Sequence, residues 1–165
     1  MVIAPGSFIN YNATFIDTCP IYIGSRVMFG PGVSVYSGTH PLDPAVRNGL
    51  KGPEMGKAVH IEDDCWVGGN AIILPGIRLG RGVVVGAGSV VTKVRTPLLG
   101  TEDTTNVVDQ SVPPFHVVAG NPARIIRKIE SEWDKGGGSG TQDDKQQGAE
   151  GPMAQMASKL EEKEM

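Results

Sequence analysis

Between Ile61 and Lys93 aliphatic residues recur at every sixth position: Ile61, Val67, Ile73, Leu79, Val85 and Val91. Two places after each of the first five comes a turn-forming pair: Asp63-Asp64, Gly69-Asn70, Pro75-Gly76, Arg81-Gly82 and Ala87-Gly88. The fifth place holds a small or aliphatic residue: Cys65, Ala71, Ile77, Val83 and Ser89. A helix repeats near 3.6 residues and a half-buried strand at 2.0, so neither gives this period. A fixed hexapeptide period marks a parallel β-helix. Each hexad then supplies one short strand and one turn, and three hexads of about 18 residues close one coil of a triangular prism. The first place points inward and stacks on its equivalents in neighbouring coils. The fifth also points inward, near a corner, where small residues fit. Gly, Asn and Asp take the corner conformations that other residues resist. Burying each Val, Ile or Leu contributes roughly 1.5–3 kcal/mol before chain entropy is charged.

The same phase starts at the beginning of the chain, with Ile3, Ile9 and Phe15 at place one and Ser7, Ala13 and Cys19 at place five. An eight-residue side follows, and the phase resumes with Ile23, Phe29 and Val35. The chain therefore opens inside a coil, and its first coil is expected to need a cap or a partner. The period fails over residues 37–58, which hold Pro41, Pro44 and Pro53. This stretch is read as an excursion loop, and loops on rigid scaffolds commonly carry chemistry. The period fails again over residues 94–110. Removing those seventeen residues joins Lys93 to Ser111, so the stretch is read as foreign to the coil, either a translated intron or a lineage-specific loop. Val117–Arg124 makes a last turn, and Ile125–Trp133 is an apolar-basic segment suited to capping. Residues 1–130 thus form one β-helix domain. Residues 131–165 form a polar tail with too few apolar residues to fold.

A net charge of −3 gives no basic surface for nucleic acid or membrane. No apolar run is long enough to span a bilayer, and the start lacks the pattern of a secretory signal. A cytoplasmic, reducing location is expected. Cys19 and Cys65 fall at inward fifth places and read as small buried hydrophobes, not as a disulfide or a metal pair. Three histidines, His40, His60 and His116, lack the paired short spacing of a zinc site, so no metal is expected. His60 and His116 read as surface polar residues. His40 stands in the excursion, in Thr39-His40-Pro41-Leu42-Asp43-Pro44, where prolines stiffen the backbone. Imidazole is the natural base at neutral pH.

The segments FINYNATFIDTCPIYIG, THPLDPAVRNGLKGPEMGK, DDCWVGGNAIILPGIRLG, VVGAGSVVTK and VVAGNPARIIRKI resemble the maltose and galactoside O-acetyltransferase group of the hexapeptide-repeat acyltransferases. The resemblance covers residues 3–93 and 111–130. It implies an all-β, left-handed parallel β-helix, against the right-handed rule for parallel crossovers. It also implies a homotrimer with active sites in clefts between subunits, and transfer of acetyl from acetyl-CoA to a sugar hydroxyl. His40 matches the catalytic histidine. Gly69, Ala87, Thr92 and Lys93 match positions along the acetyl-CoA arm, and Arg124 and Arg127 the pair near the nucleotide phosphates. Asn10 matches an acceptor-contacting asparagine, and Asp17 lies beside an acceptor-contacting acid. Trp66 is an outward aromatic that either walls the pocket or fills the trimer seam.

Two departures from the family stand out. The family carries several dozen residues before the first coil, and these supply part of the acceptor site. It also lacks the 94–110 insertion beside Thr92 and Lys93. Two alternatives therefore stay open beside the sugar O-acetyltransferase: a non-catalytic truncated paralogue, and an acetyltransferase for a non-sugar acceptor.

Overall fold

The computed structural model describes residues 1–92 and 111–133. Lys93, the 94–110 insertion and residues 134–165 of the polar tail lie outside the described residues. The chain divides into two compact units, Met1–Ile129 and Glu130–Met165. In the second, described only at 130–133, the Trp133 N–H donates to Ser131 Oγ at 3.2 Å.

In the first unit each hexad forms a strand of two or three residues. The first coil comprises β1 (Val2–Ile3), β2 (Phe8–Ile9) and β3 (Thr14–Ile16). The second comprises β4 (Ile21–Ile23), β5 (Met28–Phe29) and β6 (Ser34–Tyr36). The excursion follows as β7 (Gly38–Thr39), a short helix α1 (Pro44–Arg47) and β8 (Met55–Gly56), with β7 and β8 antiparallel. The third coil is β9 (Val59–Ile61), β10 (Trp66–Val67) and β11 (Ile72–Ile73). The fourth is β12 (Arg78–Leu79), β13 (Val84–Val85) and β14 (Val90–Val91). A fifth begins with β15 (Ser111–Val112) and β16 (His116–Gly120), and β17 (Ala123–Lys128) folds back antiparallel on β16.

Successive strands visit three faces in rotation. The first face is β1-β4-β9-β12-β15, the second β2-β5-β10-β13-β16-β17, and the third β3-β6-β11-β14. Within the faces, strands of successive coils pair in parallel, as in Trp66 with Met28 and Val84. The place-one residues from Ile23 through Val91 are buried, and most fifth-place residues beside them are too. Phe29 meets Phe15 edge to face at 5.9 Å. Ile125 of β17 packs against this core, as expected for a capping segment.

Ile3 and Ile9 keep the inward register but form the outermost coil, and they are 42% and 36% exposed. Cys19, on the same coil, is only partly buried, whereas Cys65 is fully so; both are free thiols. The turn pairs explain themselves. Their second members take left-handed backbone: Asn12, Gly32, Asn70 and Gly88 at one corner, Gly6, Arg26, Asp64, Gly82 and Phe115 at another.

The corner between the first and second faces carries a charge ladder. Asp64, with a side chain 10% exposed, accepts from Arg26 of the coil before at 2.7 Å and from Arg81 of the coil after at 2.9 Å. Glu62 adds a bond to Arg78 and one to the Arg81 N–H. Burial works against the charged form of Asp64. The hydrogen bonds from Arg26 and Arg81 outweigh it and hold the carboxyl below its ordinary value.

The stabilisation from Asp64 is full above its unfolded-state pKa and is lost as pH falls through its lower folded value. Asp64→Asn keeps a residue that tolerates left-handed backbone, so it isolates the charge. It is expected to cost about 1 kcal/mol near neutral pH, the scale of a solvent-screened ion pair. In urea melts that gap should close in acid, where the wild type is protonated too. A pH-independent gap would show that the charge plays no part.

The register also sizes the second interruption. Leu79 pairs with Val112, so the side from Val91 to Val112 takes 21 steps where a regular side takes six. Fifteen residues are therefore in excess, two fewer than the break in sequence pattern suggests. Deleting Val94–Val108 leaves a six-step side. Because shorter loops cost slightly less to close, the variant should melt at the same temperature or higher. A cooperative transition well below that of the wild type would show that the coil depends on the segment.

Candidate active site

The corner between the second and third faces is the most regular. It carries Tyr11-Asn12, Pro31-Gly32, Gly69-Asn70 and Ala87-Gly88 in successive coils. Gly32 N–H donates to the Tyr11 carbonyl, Asn70 N–H to that of Pro31 and Gly88 N–H to that of Gly69, each at 2.8 Å. The coils approach closely here. A methyl on Gly68 would stand 2.6 Å from the Ala87 nitrogen, which only a glycine avoids. The row ends at the hairpin of β16 and β17, where Ala119 pairs with Arg124 and Val117 with Arg127. Asn10 turns its side-chain oxygen back on its own corner, accepting from the Tyr11 N–H at 2.8 Å.

Trp66 lies on the second face, leading into this corner, and is 55% exposed. Phe8, Met28, Trp66, Val84 and Val117 occupy one register row across that face. Phe8 and Met28 are about as exposed as Trp66, so the row makes an apolar stripe.

Asp17, Thr92 and the excursion that holds His40 sit at the corner between the third and first faces. Asp17 follows β3 and accepts from the Met1 ammonium at 3.2 Å. Thr92 follows β14, and the excursion with His40 follows β6. His40 comes directly after β7 and is exposed. The loop beyond it is ordered by more than its prolines. Asp43 caps α1, accepting from the Ala45 N–H at 2.8 Å, with Pro44 opening the helix. Arg47 donates back to the Pro41 carbonyl at 3.2 Å. The Asp43-Pro44 pair is a legible helix-start signal that a reading of the loop as pure excursion misses.

One chain therefore places the histidine at one edge of the prism and the row of Gly69, Ala87 and Arg124 at another.

Among the described residues the remaining titratable groups offer no rival centre. Cys65 donates its thiol to the Gly80 carbonyl at 3.2 Å, and burial pushes it up to about 12, far from a nucleophile. His60 is not the plain surface residue its position suggests. It is half buried and stacked on Tyr22 at 4.8 Å, and burial, aided by the Arg78 guanidinium, lowers its proton affinity. His116 Nδ1 lies 2.8 Å from the Pro114 carbonyl, which requires a proton on that nitrogen. Among the described residues no three His, Cys, Asp or Glu stand together to hold a metal, and no helix is long and apolar enough to cross a membrane.

Residues 58–93 match the family described as the hexapeptide repeat of succinyl-transferase. The chain is 37% identical over 124 residues to a galactoside O-acetyltransferase of Lactococcus lactis, a match covering 75% of this chain and 51% of that protein. A maltose O-acetyltransferase structure from Clostridium difficile superposes with a TM-score of 0.66 at 42% identity, over 79% of this chain and 60% of that one. A hexapeptide-repeat acetyltransferase from Vibrio cholerae, complexed with acetyl coenzyme A, superposes with a TM-score of 0.65 at 35% identity, over 79% and 61%. The chain spans about half the length of the curated relatives it matches. The chain thus carries the hexapeptide repeat, and over about three quarters of its length it is similar to the maltose and galactoside O-acetyltransferases.

Proposed function

We propose that this chain acts as an acetyl-CoA-dependent O-acetyltransferase on a hydroxyl of a sugar such as maltose, glucose or a galactoside. The observation that carries the reading is the division of the site. His40 and the Gly69–Ala87–Arg124 row stand at different edges of one prism, which suits a cleft between two copies. The exposed stripe of Phe8, Met28 and Trp66 supplies an apolar surface for a neighbour. A left-handed coil assembled as a homotrimer fits these features. The acetyl-CoA-bound relative supports the donor.

In this scheme the pantetheine arm runs along the row of Gly69 and Ala87, near Thr92 and Lys93 of the cleft. Arg124 and Arg127 face the phosphates with guanidinium donors. Asn10, Asp17 and Trp66 border the acceptor. The His40 imidazole takes the proton of the acceptor hydroxyl as its oxygen attacks the thioester carbonyl. The C–O bond forms, the C–S bond breaks, and CoA leaves as the thiolate that recovers the proton. No acyl-enzyme is needed. Backbone N–H groups at a coil corner are suitable donors for the oxyanion. No metal takes part.

One rival is a non-catalytic coil protein, in which the exposed stripe of Phe8, Met28 and Trp66 serves assembly alone. Acetyl-CoA binding and turnover with maltose, glucose, a galactoside or water separate the two. His40→Ala should lower transfer about 10²–10⁴-fold with acetyl-CoA affinity nearly unchanged, because a general base acts in the transition state. Full activity in that variant would remove His40 as the base, and a monomer mass by light scattering would remove the shared cleft.

A further inference from the structure

Ser37 is the last residue of the second coil before the chain leaves toward His40, and it is fully buried. Its hydroxyl accepts from the Cys19 N–H at 2.8 Å. The hydroxyl proton goes to the Cys19 carbonyl at 2.7 Å or to that of Ile16 at 3.0 Å. Its N–H donates to the Ile16 carbonyl and its carbonyl accepts from the Lys57 N–H, both at 2.9 Å. One residue thus ties together three segments: the corner at 16–19, the outgoing arm of the excursion and the returning arm.

The arms are fitted closely to this hub. Gly38 pairs with Gly56 and Thr39 with Met55. A methyl on Gly38 would stand 2.5 Å from Thr18 Oγ1, and one on Gly56 would collide with the Ser37 carbonyl and lie 2.7 Å from Cys19 Sγ. Thr18 Oγ1 donates to Glu54 Oε1 at 3.3 Å, fastening the returning arm to the same corner. A small apolar residue in place of Ser37 could fill the coil, but the Cys19 N–H would lose its acceptor. The buried hydroxyl therefore has a reason beyond packing. His40 lies three positions along the arm that it anchors.

We propose that Ser37 is a positioning residue for His40: it sets where the excursion leaves the coil, and so where the imidazole stands in the cleft. The proposal rests on the reading of His40 as the base. Its test is a double-mutant cycle on the full chain, with Ser37→Ala, His40→Ala and the pair. The assay uses acetyl-CoA with maltose, glucose, a galactoside and water. Ser37→Ala should lower kcat about 10- to 100-fold, the cost of a small misplacement. Acetyl-CoA affinity and oligomer mass should not change. In the His40→Ala background it should change the remaining rate by less than about twofold, because the two residues act as one. Amide hydrogen exchange across 38–56 should speed up while that of β11 to β14 does not.

Thr18→Val alters only the exposed bond to Glu54 and should shift rate and exchange in the same direction, more weakly. It carries the test if Ser37→Ala does not fold. The proposal is overturned if folded Ser37→Ala keeps its rate and arm protection, or loses as much rate without His40 as with it. A fully active His40→Ala would instead defeat the base reading, and the positioning role with it. The single variants tell these two failures apart.

Discussion

The register between coils is the constraint on which everything else here depends. Each short strand has too few residues to be stable alone, so its N–H and C=O groups must meet those of the coils on either side. A slip of one residue would turn Val67, Ile73 and Leu79 outward together. Interruptions are therefore admitted only where they return the chain to the same phase. Ile21 pairs with Val59 and Arg78 with Ser111, so both long interruptions fall between the third and first faces. The second-to-third corner stays at its minimum length in the first four coils, which is what keeps its row straight.

Polar groups enter this scaffold where a partner meets them. Ser89 is buried, and its hydroxyl accepts from the Gly120 N–H at 3.1 Å, linking the fourth coil to the β16–β17 hairpin. Ser37 does the same at the exit to the excursion. Asp64 spans three coils at the remaining corner, where two arginines outweigh the cost of its burial. These contacts add direction to a core that is otherwise aliphatic and undirected. They mark the places where the coil is held to something beyond itself.

The coil was legible in the sequence because its information is local. Six residues define a side, and Ile61 through Val91 repeat it without error. What the period could not convey is contact between distant corners. Nothing in the spacing of Tyr22 and His60 announces a ring stack, since their pairing spans an excursion of unknown register. Ser37 looked like the start of a loop, and its meeting with Cys19 needs the coil built first. Ile3 and Ile9 have the pattern of core residues and the exposure of an edge, because burial depends on a coil on both sides. The candidate site divides along the same line. Its residues could be named one by one, but only the winding order assigns them to two different corners.

That division bears unequally on the two substrates of the proposed reaction. Gly69, Ala87 and Arg124 belong to the third coil, the fourth coil and the β16–β17 hairpin, over the fully buried Val67, Val85 and Val118. Asn10 and Asp17 belong to the outermost coil, beside the exposed Ile3, Phe8, Ile9 and Ile16. The donor side therefore rests on a rigid ladder, while the acceptor side rests on a surface that gains its shape from whatever covers it. A change in that cover alters which hydroxyl is presented before it alters how acetyl-CoA is held. Differences in acceptor among proteins built on this coil are thus expected to arise at its first coil and excursion, with the glycine corner left unchanged.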